Sequence, residues 1–340
     1  AGHWIGLLWL ASRYVDDPSD SRRFERAARN HIEKMCTQNF DNIFMGMGTM
    51  YAGFRGYDVT NDRSLFGLGL SGADAMIDLY NEVARQIPIG EYEFAEPGRE
   101  SVNAKESDEP PMTQWAAVDI VYTSLPVLWR AYEETGDPRF RDIAVSHTDR
   151  HLDWHVREDG SIQQIAIFNT ETGKIENQFS GLAYSDDTCW ARGMGWNIAG
   201  LSRAYRETSA ERYLRTLERS VNYYTDNAPP DLIPYWDFEA PFIPSTPRDT
   251  SAAALTAYGL IRLRGNAKRI KRMREIGKRV LKSLLSNYLV RDKSDPQYGS
   301  ILHGTLNKPE EYGVDMEHIW TNYYVTYTLD SLRNSFQDKD

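Results

Sequence analysis

The 340-residue chain is poor in several features that would otherwise fix its class. It has two cysteines, Cys36 and Cys189, which by count and spacing make neither a disulfide framework nor a cysteine metal site. No apolar run is long enough to span a bilayer and no leader pattern opens the chain, so no membrane partner is expected. Cytoplasmic residence is the expectation, with secretion or a periplasmic location left open. Basic residues are outnumbered, 39 Lys and Arg against 49 Asp and Glu, for a net charge of −10. That balance argues against a nucleic-acid partner, because phosphates are neutralised by clustered cations. The densest basic stretch, 262–274, reads as the solvated face of a helix and its preceding turn. No Gly-rich phosphate loop, Gly-x-Ser-x-Gly elbow or metalloprotease motif occurs, which leaves hydrolysis or hydration by a carboxylic acid and water.

Aromatic residues, in contrast, are plentiful: 12% of the chain, with 20 Tyr and 9 Trp, in a sequence that is 41% hydrophobic. This composition favours a folded protein with wide, partly polar aromatic surfaces of the kind that stack on sugars. The chain also alternates two kinds of helical segment. Stretches 6–14, 45–57, 115–134, 189–207, 251–263 and 317–336 are apolar almost all round and read as inner helices. Stretches 22–34, 65–84, 139–156, 211–225 and 268–288 read as their outer partners, the first of them charged on most positions, joined by polar turns such as Thr135-Gly-Asp-Pro138.

Helix pairs repeated in this way either stack as a solenoid or close on themselves. Six inner helices, too apolar for one open face, point to closure: an all-α (α/α)6 barrel formed as one domain over 1–340, with its first outer helix expected to precede Ala1. Four long loops, 87–113, 159–187, 228–249 and 292–315, all follow outer helices and so gather at one end of the barrel, where sites are commonly built. Within them, 162–168 reads as part of a short hairpin turning at 170–173, and strand content is otherwise small. Gly46, Gly48 and the glycines between Gly67 and Gly72 read as helix-packing glycines.

Asp119 is the sharpest candidate for chemistry. It opens an inner helix inside an apolar run, which raises a carboxyl pKa and fits a general acid; the competing reading is a carboxylate serving the helix dipole. The stretch 184–196 sets two carboxylates, Asp186 and Asp187, beside Trp190, Arg192 and Trp196, with Gly193 and Gly195 leaving space next to Arg192 for something flat. A guanidinium fork there suits a sugar carboxylate, whereas packing tryptophans, and aspartates that cap the helix or accept structural hydrogen bonds, are the plainer reading. His147, His151 and His155 have helical spacing but fall among charges on an outer helix, and a solvated stripe is preferred to metal ligation. Either His303 or His318, near the loop end, could touch substrate or be structural.

These residues, in series, resemble glycoside hydrolase family 88, the unsaturated glucuronyl hydrolases, and more distantly family 105, the unsaturated rhamnogalacturonyl hydrolases. The resemblance runs from Gly2-His-Trp-Ile-Gly6 through Val118-Asp-Ile120, Thr135-Gly-Asp-Pro-Arg139, Asp159-Gly-Ser161 and Tyr184-Ser-Asp-Asp187. It continues through Trp190-Ala-Arg-Gly193, Pro234-Tyr-Trp-Asp-Phe238 and Asp249-Thr-Ser-Ala-Ala253. It implies that Asp119 is the acid/base residue and that Trp4, Trp190, Arg192 and Trp196 line the sugar subsite, with Gln164, Tyr184 and Trp236 as further substrate contacts. Two departures stand out. The family's His-Asp-x-Gly-Phe motif is absent from Asp41-Asn-Ile-Phe-Met-Gly46, leaving Asp41 as a possible second carboxylate, and Gln164 stands where the family has histidine.

The implied reaction removes a terminal 4,5-unsaturated uronic acid from an oligosaccharide by acid-catalysed hydration of its enol ether, with no metal or organic cofactor. Hydrolysis of a saturated uronoside by two carboxylates, or a catalytically inactive barrel that binds acidic sugars, are the alternatives. The expected partner is an oligosaccharide with a terminal uronic acid, and the protein is expected to be a monomer or homodimer.

Overall fold

In the computed structural model, which describes residues 2–37, 42–91 and 110–333, four aspartates set helix starts. Asp17, Asp62, Asp137 and Asp249 each lie just before a helix and accept the backbone N–H two residues on, at 2.7 to 3.0 Å. Each such cap contributes about 1 kcal/mol by pairing a donor that the helix itself leaves open. Proline at the first position of two of these helices, Pro18 and Pro138, adds a preset φ where no N–H is needed.

The inner helices close into a ring. Helix α1 (Gly2–Tyr14) packs on a composite helix in which α3 (Phe44–Thr49) passes through a wide π-turn (Met50–Phe54) into α4 (Arg55–Thr60). Next come α6 (Ile120–Thr123) and α7 (Leu125–Thr135), then α9 (Ala191–Thr208), α11 (Thr250–Ile261) and α13 (Ile319–Arg333), which returns to α1. Helix α11 is buried at all of its residues, as an inner helix enclosed by neighbours must be. Five outer helices are present among the described residues: α2 (Pro18–Cys36), α5 (Arg63–Leu79), α8 (Pro138–His155), α10 (Glu211–Asn227) and α12 (Lys268–Ser283). Each packs on the inner helix that precedes it in the chain. On α10 the buried positions, among them Leu214, Leu217, Val221 and Tyr224, recur at helical spacing.

The pairing is the one expected, and the departures from it have local causes. The stretch from Trp115 does not begin as helix: Trp115–Ala117 forms β1, antiparallel to β2 (Ile165–Phe168), which pairs in turn with β3 (Ile175–Phe179). The hairpin satisfies this backbone before the helix begins. The helix then breaks at Ser124, because Pro126 has no N–H to give and its ring would strike the carbonyl four residues back. Arg262, expected on a solvated face, is instead buried, with its guanidinium 4.9 Å from the Tyr258 ring centroid.

Close packing accounts for most of the glycines. A Cβ on Gly72 would stand 1.7 Å from Thr49 Oγ1, and one on Gly53 would stand 2.5 Å from the Gly69 nitrogen, so α5 lies almost backbone to backbone on the composite helix. Gly67 faces open space and is not a packing glycine.

The histidine stripe on α8 is not solvated. His147, His151 and His155 are all fully buried, on the same face as Phe140 and Ala144, while the charged neighbours that suggested exposure lie on the other side. His147 Nδ1 accepts the Ile87 N–H at 3.1 Å, His151 Nε2 meets Asn197 Oδ1 at 2.9 Å, and His155 Nδ1 meets the Gln163 carbonyl at 3.0 Å. Burial keeps these rings neutral, holding His147 well below the usual value and lowering His151 to about 4 and His155 to about 3.

Because the folded values are depressed, the unfolded chain takes up protons that the fold refuses once the pH drops below about 6.5. Each of the three histidines then removes about 1.4 kcal/mol of stability per pH unit until its folded value is reached. The urea midpoint is therefore expected to fall between pH 7 and pH 5, and to fall less in His151→Gln. A variant that loses as much as the wild type over that interval contradicts this account.

Candidate active site

Asp119 stands where strand β1 hands over to helix α6. The Val118 N–H donates to the Gln164 carbonyl at 2.9 Å, and Asp119 is the residue just before the helix. Its side chain keeps a partly accessible face and, among the described residues, accepts no side-chain hydrogen bond. Burial raises its carboxyl to about 6, against the pull of the Arg192 cation, which lowers it. A carboxyl that retains its proton near pH 6 can act as a general acid.

Arg192, from the first turn of α9, is buried. Its guanidinium lies 4.6 Å from the Trp190 ring centroid and 5.6 Å from that of Trp320. Nη1 donates to the Thr305 carbonyl, Nη2 to the Leu306 carbonyl at 2.7 Å, and Nη1 also lies 3.5 Å from Asp249 Oδ2. Asp249, before α11, is wholly buried and its Oδ1 accepts from the Ser251 N–H and hydroxyl and from the Thr305 N–H.

Beside this charged group, each of the six inner helices contributes a ring to one continuous aromatic cluster: His3, Tyr51, Tyr122, Trp196, Tyr258 and Tyr324. Trp196 stacks on Tyr122 at 6.2 Å between centroids, and Tyr51 and Tyr324 share a hydroxyl–hydroxyl hydrogen bond of 2.7 Å. Tyr122 is three residues after Asp119 and Trp196 four after Arg192, so each falls on the same helix face as its charged neighbour. His3 is held near pKa 3 by burial and so stays neutral.

The structure thus brings together Asp119, Trp190, Arg192 and Trp196. Other predicted site residues make different contacts. Trp4 is 45% exposed and donates from Nε1 to His31 on α2. Tyr184 is exposed on the loop before α9, and its N–H is held by Asp237 Oδ2. Trp236 packs with Tyr235 and Ala240 and donates from Nε1 to Thr246 Oγ1. Gln164 uses its Oε1 to accept the Leu182 N–H at 2.9 Å, fastening the loop that follows β3. Asp41 lies outside the described residues.

Gly193 and Gly195 leave no space for a ligand: a Cβ on either would strike Trp190 and Ile162, or Ala252 and Leu255. Asp186 and Asp187 do not cap α9; Asp186 accepts the Ser180 N–H, and Trp190 occupies the cap position. His318 is buried, stacked on Trp320 at 4.5 Å, while exposed His303 pairs with Asp315. Among the described residues no three His, Cys, Asp or Glu side chains are placed to hold a metal ion.

Sequence reasoning missed Asp249 and the tyrosines of the aromatic cluster. Asp249 had a usable signal, since it precedes its inner helix as Asp119 precedes another.

A closed ring of inner helices, lined with rings that suit a sugar and holding one proton-bearing carboxyl, is the framework of an (α/α)6-barrel glycosidase. The chain belongs to Glycosyl Hydrolase Family 88, whose model matches residues 84–332. It is 26% identical to an unsaturated chondroitin disaccharide hydrolase of Streptococcus pneumoniae, over 99% of this chain and 81% of that protein. It is 27% identical to an unsaturated glucuronyl hydrolase of Bacillus sp. GL1, over 96% of this chain and 84% of that one. The crystal structure of the unsaturated glucuronyl hydrolase from Bacillus sp. GL1, described as responsible for the degradation of glycosaminoglycan, superposes with a TM-score of 0.84. That match covers 97% of this chain and 85% of the other, at 27% identity.

The loop before α9 depends on Asp237, which is fully buried and accepts from the Tyr184 N–H, the Thr188 hydroxyl and the Glu239 N–H. Asp237→Ala leaves these donors unpaired and is expected to lower unfolding stability by about 2 to 3 kcal/mol. Urea denaturation of Asp237→Ala beside Asp237→Asn, which keeps one acceptor oxygen, should show the larger loss in the alanine variant.

Proposed function

We propose that this enzyme removes a terminal 4,5-unsaturated uronic acid from an oligosaccharide by hydrating its enol ether, with Asp119 as the acid. The observation that carries this reading is the Asp119 carboxyl, raised to about 6 by burial and partly open to the site. Hydrolysis of a saturated glycoside commonly needs two carboxylates flanking the bond. Among the described residues the carboxylate paired with Arg192, Asp249, is fully buried and committed to Ser251 and Thr305, so the group built around Arg192 offers one acid.

One acid is sufficient for an enol ether. Asp119 transfers its proton to C4 of the C4=C5 double bond, and the positive charge that develops at C5 is shared by the ring oxygen. Water bonds to C5 and gives up a proton, which restores the acid. The C5–O bond of the ring then opens to a ketone, leaving a hemiacetal at C1 that collapses to an aldehyde and releases the next sugar with a hydroxyl. One water is consumed, and no electrons leave the substrate. The relatives named for unsaturated chondroitin disaccharides and for unsaturated glucuronyl groups support this substrate class.

Asp119→Asn cannot donate the proton and is expected to lower kcat by about 10²- to 10⁴-fold with the fold retained. The assay follows loss of the enol-ether ultraviolet absorbance of lyase-made disaccharides, with circular dichroism as the check on folding. Since the acid must carry its proton, wild-type activity should fall as pH rises through about 6. Undiminished turnover in Asp119→Asn removes the assignment.

A further inference from the structure

We propose that Asp249 is a positioning residue for this reaction: through Arg192 it fixes where that cation stands and how much of its charge reaches the carboxyl of Asp119. The inference rests on Asp119 being the acid.

The two oxygens of Asp249 do different things. Oδ1 accepts from the Ser251 N–H at 3.0 Å, from its hydroxyl at 2.6 Å and from the Thr305 N–H at 3.3 Å. That is a helix cap, and Asn or Ser caps about as well without a charge. Oδ2 accepts no hydrogen bond and lies 3.5 Å from Arg192 Nη1, a contact between charges. The other capping aspartates, Asp17, Asp62 and Asp137, sit at the surface, whereas Asp249 is fully buried. A buried carboxylate is costly unless a cation compensates it, so capping alone does not account for an aspartate here.

Arg192 in turn cannot swing away. Its two terminal nitrogens are engaged with the Thr305 and Leu306 carbonyls, and the guanidinium lies close to the faces of Trp190 and Trp320. The negative charges of two carboxylates, Asp249 at 3.5 Å and Asp119, both act on this fixed cation. Among the described residues the charged group acting on Asp119 from a packed element is Arg192 of α9. Arg192 also faces Asp249, before α11, and interacts with His318, before α13, which burial keeps below its usual value. Asp249 therefore offsets part of the positive charge that Asp119 faces and lets the acid keep its proton to a higher pH.

The test is the pH profile of kcat/KM, which reports the free enzyme. Asp249→Asn keeps an acceptor for Ser251 and Thr305 but removes the charge. Its alkaline limb is expected to move down by roughly half a pH unit, making the loss about threefold greater at pH 7 than at pH 5. Asp249→Ser, which caps without charge, should move it the same way if the asparagine variant folds poorly. Arg192→Gln should move the limb up by about one unit, while Arg192→Lys keeps the charge and should leave the limb in place as KM rises. Equal losses at both pH values in both Asp249 variants overturn the proposal, leaving Asp249 as a cap. Retained turnover in Asp119→Asn overturns instead the acid on which it rests, so the two failures are distinguishable.

Discussion

The site depends on a balance at one carboxyl. Withdrawal from water pushes Asp119 toward its neutral, proton-bearing form, and the nearby guanidinium of Arg192 pulls it back. Neither influence alone would leave the carboxyl where it is: burial without the cation would hold the proton more tightly, and the cation without burial would strip it. The value of about 6 is the compromise. It requires a fixed arginine, and the carbonyls of Thr305 and Leu306 and the rings of Trp190 and Trp320 provide that.

The barrel makes that balance possible because helix starts, rather than helix sides, carry the charged groups. Asp119, Arg192 and Asp249 lie at or just before the first turns of three successive inner helices, and ring closure brings those three starts to one end. The aromatic rings contributed by the same helices complete the enclosure. Sheet β1–β2–β3 has a narrower part: through the Val118 to Gln164 hydrogen bond it sets the backbone that presents Asp119.

Much of this was legible in the sequence. The alternation of apolar and charged helices gave the ring, and Asp119 was recognisable as an acidic residue inside an apolar run. The misreadings share one cause, which is that local composition stood in for orientation. His147, His151 and His155 were assigned to solvent because their sequence neighbours are charged, yet spacing alone puts them on the face of Phe140 and Ala144. Gly193 and Gly195 looked like room for a ligand and are room for neighbouring side chains and backbone. The aromatic cluster was not legible, since each helix contributes one ring among several and only long-range closure decides which ones meet. Trp236 and Tyr184, chosen for their motifs, carry loop hydrogen bonds as well, from the Trp236 Nε1 to Thr246 and from the Tyr184 backbone N–H to Asp237.

The loop between α12 and α13 is anchored very unevenly. Its segment 302–306 is tied to residues at the starts of two inner helices: Thr250 donates to the His303 and Leu302 carbonyls, Thr305 donates to Arg248 and Asp249, and Arg192 donates to Thr305 and Leu306. The tip beyond it closes mainly on itself, through the paired Asn307 and Tyr312. Sequence drift in this loop therefore has a permissive zone and a forbidden one a few residues apart: the tip can lengthen or change chemistry, while a shift of the anchored segment would move the two carbonyls that hold Arg192.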